Sequence, residues 1–129
     1  MIIADSSVWI AALRGASTPE TTRLRALSDG PEIIMGDIIL LEILRGAHND
    51  RHAANIHKGL VRYTVVPMLS PQIAVKAAGN YRKLRSKGIT IRKTVDLIIG
   101  TYCIEHDYSL LHADRDFDPM AEHLGLRVA

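Results

Sequence analysis

The feature that most limits the fold is a set of very short apolar runs separated by longer amphipathic ones. MIIA (1–4), EIIM (32–35), TVVP (64–67) and SLLH (109–112) are each four residues long and mostly aliphatic. A strand with one wet face alternates apolar and polar residues. A run that does not alternate is covered on both faces, as in a parallel sheet flanked by helices. TVVP is β-branched and stops at proline, which suits a short strand. LRV (126–128) is a candidate fifth strand.

The intervening segments carry helix signals. The first helix runs through Val8, Trp9, Ala12 and Leu13 to Gly15, with Trp9 expected in the core. Thr18-Pro19-Glu20 opens a second, with a capping threonine, a proline in the first turn and an acid against the helix dipole. Asp37 is expected to cap a helix through Leu41, Leu44 and Arg45 to Gly46, and residues 50–62 read as helical. Ser70-Pro71 opens a longer helix that ends near Lys87-Gly88, and 94–106 forms another. With 129 residues and no linker, repeat or low-complexity segment, residues 1–129 are expected to be a single domain. The longest uninterrupted aliphatic stretch, Ile38 to Leu41, is stopped by Glu42, so no membrane-spanning helix is expected. The N-terminus lacks the basic region of a signal peptide, and one cysteine, Cys103, excludes a disulfide framework; a cytoplasmic protein is expected.

Charge is distributed unevenly. Residues 1–50 hold four basic and seven acidic side chains, and residues 96–129 hold two basic and seven acidic. The 45 residues between them, 51–95, hold ten basic side chains and no acid. The densest basic part contains Arg82, Lys83, Arg85, Lys87, Arg92 and Lys93. A basic run alone is usually a solvated helix face. Next to returning pairs of acids it suits a chain that holds a polyanion with one region and acts on it, through cations, with another.

In a parallel α/β sheet, ligands gather outside the carboxyl ends of the strands. Asp5 follows the first run directly, and Asp114 follows the fourth after one alanine, which brings both to the same sheet edge. Two further acids have aliphatic neighbours: Glu42 in IILLEIL and Asp96 in TVDLIIG. An ionised carboxylate buried without a partner is costly, so each needs a counter-charge, a capping role or a cation. Structural explanations exist one by one. Glu42 could pair with Arg45, Asp5 could cap a helix, Asp96 could follow Thr94 as cap, and Asp114 and Asp116 could pair with Arg115. Together they would require several coincidences, and clustered carboxylates are relieved by a divalent ion. Mg²⁺ and Mn²⁺ prefer such oxygen ligands. No Cys/His set has zinc spacing; His48, His52 and His57 are expected on one helix, and the His48/His52 spacing without a companion glutamate is a weak metal signal.

These residues fall into an ordered set that resembles the PIN-domain ribonucleases, and within them the VapC-type toxins of bacterial toxin–antitoxin modules. IIADSSVWIAAL resembles the opening strand and first acid, and MGDIILLEILRGA the second motif with Glu42. TVDLIIGTYCIEHDYSLLHADRDFD resembles the third and fourth motifs, with Asp96, Asp114 and Asp116; His112 stands where the family often has Thr or Ser. The resemblance spans essentially the whole chain. It implies a three-layer α/β/α sandwich with a short-stranded, mainly parallel sheet. It also implies Mg²⁺- or Mn²⁺-dependent endoribonuclease activity on transfer or ribosomal RNA, inhibition by a VapB-like antitoxin, and a homodimer.

On this reading Asp5 and Asp96 are the principal metal ligands. Glu42, Asp114 and Asp116 act directly, through water or at a second ion, and Ser7 supports a ligand carboxylate or phosphate. Arg14, Arg45 and Arg115 join Arg82, Lys83, Arg85, Lys87, Arg92 and Lys93 as candidates for RNA contact. The competing readings are a non-catalytic binding module whose acids cap helices, and a Mg²⁺-dependent phosphotransfer protein. The latter would need an acid after the third strand, where Met68 stands, or a second aspartate two residues beyond Asp5, where Ser7 stands.

Overall fold

The computed structural model describes residues 1–129. The strands are β1 (Ile2–Ala4), β2 (Ile33–Gly36), β3 (Val65–Val66), β4 (Ser109–Leu111) and β5 (Arg127–Val128). They form one sheet in the order β3-β2-β1-β4-β5, with every pairing parallel. The central strand β1 sets Ile2 and Ile3 opposite Ile33 and Ile34 on one side and Ser109 and Leu110 on the other. The chain winds outward from β1 to β2 and β3, then crosses back to β4. The order therefore reverses between β1 and β4, where ligand crevices form in such sheets.

The helices are α1 (Ser6–Leu13), α2 (Pro19–Leu27), α3 (Asp37–Arg45), α4 (Asp50–Leu60), α5 (Pro71–Ser86), α6 (Thr94–His106) and α7 (Asp118–Leu124). They pack in two groups, α1 to α4 and α5 to α7. Right-handed crossovers in opposite directions place these groups on opposite faces of the sheet, which makes three layers. None of the helices is long and apolar enough to cross a membrane.

The helix starts follow the sequence signals. Thr18 caps α2 in a reciprocal box with Thr21, and Ser70 caps α5, with proline next in each case. Gly88 ends α5 with φ +78°, a left-handed conformation that costs glycine little. Three local expectations are corrected. The N-cap of α3 is Gly36, and Asp37 is its first residue. The cap of α6 is Lys93, with no side-chain cap bond, so Thr94 is not the cap. His48 precedes α4, whose cap is Asn49, so the three histidines do not share a helix. A 3-10 turn (Arg115–Phe117) and α7 lie in a segment whose apolar positions are too few to show a period, although Pro119 and Gly125 bracket α7.

The core joins both layers through the sheet. Ile3, Leu110, Ile39 and Ile99 are fully buried, and Trp9 packs edge-on against Tyr63 with ring centroids 5.2 Å apart. Each buried aliphatic side chain contributes roughly 1.5–3 kcal/mol, so Ile3→Ala would cost about 2–5 kcal/mol with its cavity. A close approach explains one glycine: a Cβ at Gly100 of α6 would run into the Met120 side chain of α7. That contact lets α6, which carries Asp96, pack closely on α7.

Candidate active site

β1 ends at Ala4, and Asp5 follows with extended backbone (φ −66°, ψ 156°) as the N-cap of α1. Its Oδ2 accepts the Ser7 amide at 3.2 Å and the Ser7 hydroxyl at 2.6 Å. The capping role is therefore real, but it uses one oxygen. Oδ1 is buried with no partner, in a residue only 3 % exposed. A desolvated carboxylate oxygen left unpaired is costly unless something arrives to meet it.

Asp96 sits in the first turn of α6, 5 % exposed, and its Oδ2 is likewise buried and unpaired. A helix N-terminus favours a carboxylate. The carboxyl of Asp96 is nevertheless pushed up from 3.8 to about 7. Burial is the largest cause, followed by the negative charge of Asp5; Lys93 opposes the rise, and Asp114 and Glu42 add to it.

The other acids arrive from α3 and from the end of β4. Glu42 Oε1 accepts the Ser6 hydroxyl at 3.1 Å, and its Oε2 lies 3.9 Å from the Arg45 guanidinium. The Arg45 pair exists, but it is loose and leaves Arg45 largely exposed. Asp114 caps the 3-10 turn, with Oδ1 accepting the Asp116 amide at 2.9 Å and Oδ2 lying 3.7 Å from Lys93 Nζ. Asp96, Asp114 and Asp116 each offer one ligand oxygen, all within 4.8 Å of one another. Asp5 and Glu42 stand outside that tight triad, near enough for their charges to raise the Asp96 carboxyl. An all-oxygen donor set with unspent buried oxygens fits a hard divalent cation.

Two contributors are not marked by the sequence pattern. Ser6 is 8 % exposed and holds Glu42, whereas the first turn of α1 points to Ser7 alone as the partner of Asp5. His112 Nδ1 accepts the Asp114 amide at 3.3 Å, while its buried Nε2 has no partner. The signal for both is adjacency to an acid at a strand end.

The basic residues divide. Lys93 touches Asp114, Arg45 borders Glu42, and Arg92 and Arg115 share a cleft with Asp116. The expected pairing of Arg115 with Asp114 or Asp116 does not occur; the partner of Asp114 is Lys93. Arg82, Lys83, Arg85 and Lys87 are exposed at the C-terminal end of α5, with no contact to the acids. Arg14 lies at the end of α1, in a hollow shared with Ile43, His48 and His52.

Residues 2–123 match the model of the PIN domain. The chain belongs to the PIN-domain family. It is 33 % identical, over 135 aligned positions, to the VapC ribonuclease Mb1587 of Mycobacterium bovis, an alignment covering 100 % of this chain and 98 % of that one. The same figures hold for ribonuclease VapC11 of Mycobacterium tuberculosis, which places the chain among the VapC-type PIN proteins. Solved structures share the fold at lower identity. VapBC2 from Rickettsia felis, bound to a promoter DNA fragment, superimposes with a TM-score of 0.77 at 17 % identity, covering 100 % of this chain and 98 % of the other. VapBC-1 from nontypeable Haemophilus influenzae gives 0.74 at 19 % identity, covering 100 % and 97 %. In this chain Asp5 and Asp114 follow β1 and β4, the neighbouring strands at which the order reverses.

Proposed function

We propose that this PIN protein is a divalent-cation-dependent endoribonuclease, using Mg²⁺ or Mn²⁺, that serves as the toxin of a VapBC-type module. One observation carries the reading: the buried, unpartnered oxygens of Asp5 and Asp96 beside the oxygen triad of Asp96, Asp114 and Asp116. Relatives named as VapC ribonucleases support it, and the VapBC complexes that share the fold favour a VapB-like antitoxin as partner. The substrate is taken to be transfer or ribosomal RNA. Residues 1–129 are taken to act as one domain, in a homodimer, in the cytoplasm.

Asp5 and Asp96 are the principal ligands in this reading, with Glu42, Asp114 and Asp116 acting directly, through bound water or at a second ion. When bound, the cation neutralises charge on the phosphoryl oxygens and makes water acidic enough to attack at neutral pH. The protein's own groups prepare the place. The Ser7 hydroxyl and amide turn Asp5 so that one oxygen stays free, and the Ser6 hydroxyl fixes one oxygen of Glu42. Lys93 balances Asp114 from the solvent side. The low-dielectric floor at Asp96 strengthens every charge interaction made there.

Incubating RNA with the protein and Mn²⁺, with and without EDTA, tests this directly. Cleavage should appear with Mn²⁺, vanish with EDTA and return with excess Mn²⁺, and calorimetry should show saturable Mn²⁺ binding. Cleavage indifferent to EDTA would defeat the metal dependence, and a protein that neither cuts RNA nor gives Mn²⁺ heat would defeat the reading in favour of a binding module with capping acids.

A further inference from the structure

Two arginines line a polar cleft that borders the acids. Arg92, in the loop before α6, and Arg115, which opens the 3-10 turn, line a hollow of about 300 Å³ with Thr90, Ile91, Asp116 and Pro119. The ion pairs of the molecule involve other residues, so neither arginine has an acid within pairing distance, Asp116 included. Both are exposed, so their mutual repulsion is screened by solvent and their donors are unspent. A guanidinium fork matches two phosphate oxygens at once, which a solvated lysine does not.

The cleft's position gives it a meaning. One wall is Asp116, whose carboxylate also belongs to the triad with Asp96 and Asp114. An anion in the cleft is therefore a near neighbour of whatever the acids hold. The walls contain no aromatic ring, so a base finds no stacking platform there.

We propose that Arg92 and Arg115 form a phosphate subsite that grips the RNA backbone beside the bond cut at the acids. The subsite rests on the ribonuclease reading and deepens it. It holds single-stranded RNA by its phosphodiester and without regard to base. The exposed cluster on α5 then contributes only diffuse attraction.

The test compares two double variants that remove equal charge, R92A/R115A and R82A/R85A. Binding of several fluorescent single-stranded oligoribonucleotides of unlike sequence is measured in EDTA across a salt series, and cleavage is measured in Mn²⁺. For R92A/R115A, affinity should fall about tenfold for every sequence, and the slope of log affinity against log salt should flatten by about 0.7. The α5 pair should lose less than about threefold. Mn²⁺ calorimetry and thermal melting should match the unsubstituted protein in both, which shows that fold and acids are intact. The subsite is overturned if R92A/R115A binds no worse than R82A/R85A while the unsubstituted protein binds and cuts RNA. It is also overturned if the loss depends on sequence, since the cleft would then read bases. An unsubstituted protein that neither binds nor cuts RNA removes the ribonuclease reading itself, and the subsite with it.

Discussion

Asp5 and Asp37 occupy matching places on neighbouring parallel strands. Asp5 follows β1, Asp37 follows β2, and each stands at the start of a helix. Their surroundings differ. Asp37 is exposed, and its Oδ1 accepts the Ile38 amide at 2.7 Å and the Met68 amide at 3.1 Å, tying the end of β2 to the segment after β3. Asp5 is buried, satisfies Ser7 with one oxygen and leaves the other bare. An acid at a strand end is thus not a functional acid by position. What separates the two is burial: the Asp37 carboxylate stays in solvent, whereas the bare oxygen of Asp5 is desolvated and costs free energy until a ligand meets it.

The strongest way to break this contrast is at the bare acids. Asp96→Asn or Asp5→Asn should lower RNA cleavage ~10²–10³-fold or more and abolish the calorimetric Mn²⁺ heat, since each removes a charge the cation needs. A variant that still binds Mn²⁺ normally would put the bare oxygens on a par with those of Asp37.

The next effect is on pH. Asp96 holds its proton up to about 7 in the folded chain. The folded state therefore binds a proton that the unfolded chain has released, and the stability contributed by Asp96 is greatest below the ordinary carboxyl range. Metal-free protein should lose ~2–4 kcal/mol as pH rises from about 4 to about 8, because each tenfold gain in proton affinity on folding is worth roughly 1.4 kcal/mol. Urea unfolding in EDTA across that window measures it. The Asp96→Asn profile should be flatter there, and saturating Mn²⁺ should restore stability to the unsubstituted protein at the alkaline end.

At Asp37 the expectation reverses. Asp37→Ala should cost about 1–2 kcal/mol by stranding the buried Met68 amide, with Mn²⁺ binding unchanged. Equal loss of Mn²⁺ heat would make Asp37 part of the site. The smallest effect belongs to Ser7→Ala, about 0.5–1 kcal/mol in stability and less than about tenfold in Mn²⁺ affinity, because the Ser7 amide still holds Asp5. Melting and calorimetry on one preparation would separate the two.

Much of this is legible from residue order. Thr18-Pro19 and Ser70-Pro71 announce their helices because capping is local chemistry. The unalternating runs announce a covered parallel sheet, since burial on both faces leaves no polar period. The 3-10 turn and α7 are not legible, and neither is the role of Ser6, whose partner Glu42 lies 36 positions away. Arg115 shows the limit most clearly. Between two aspartates in the chain it invites a pairing, yet it forms no ion pair with either and Lys93 meets Asp114 instead.

The sequence alone determined which acids follow strands, where helices begin and that no acid interrupts residues 51–95, because these depend on neighbours along the chain. Only the tertiary structure decided which carboxylate oxygens are matched and which are bare. It also decided that Asp96 is buried, and close enough to Asp5, Asp114 and Glu42, for its carboxyl to be pushed up to about 7. Desolvation and repulsion depend on distance through space, and those distances exist only once β1, α3, α6 and the end of β4 have packed together.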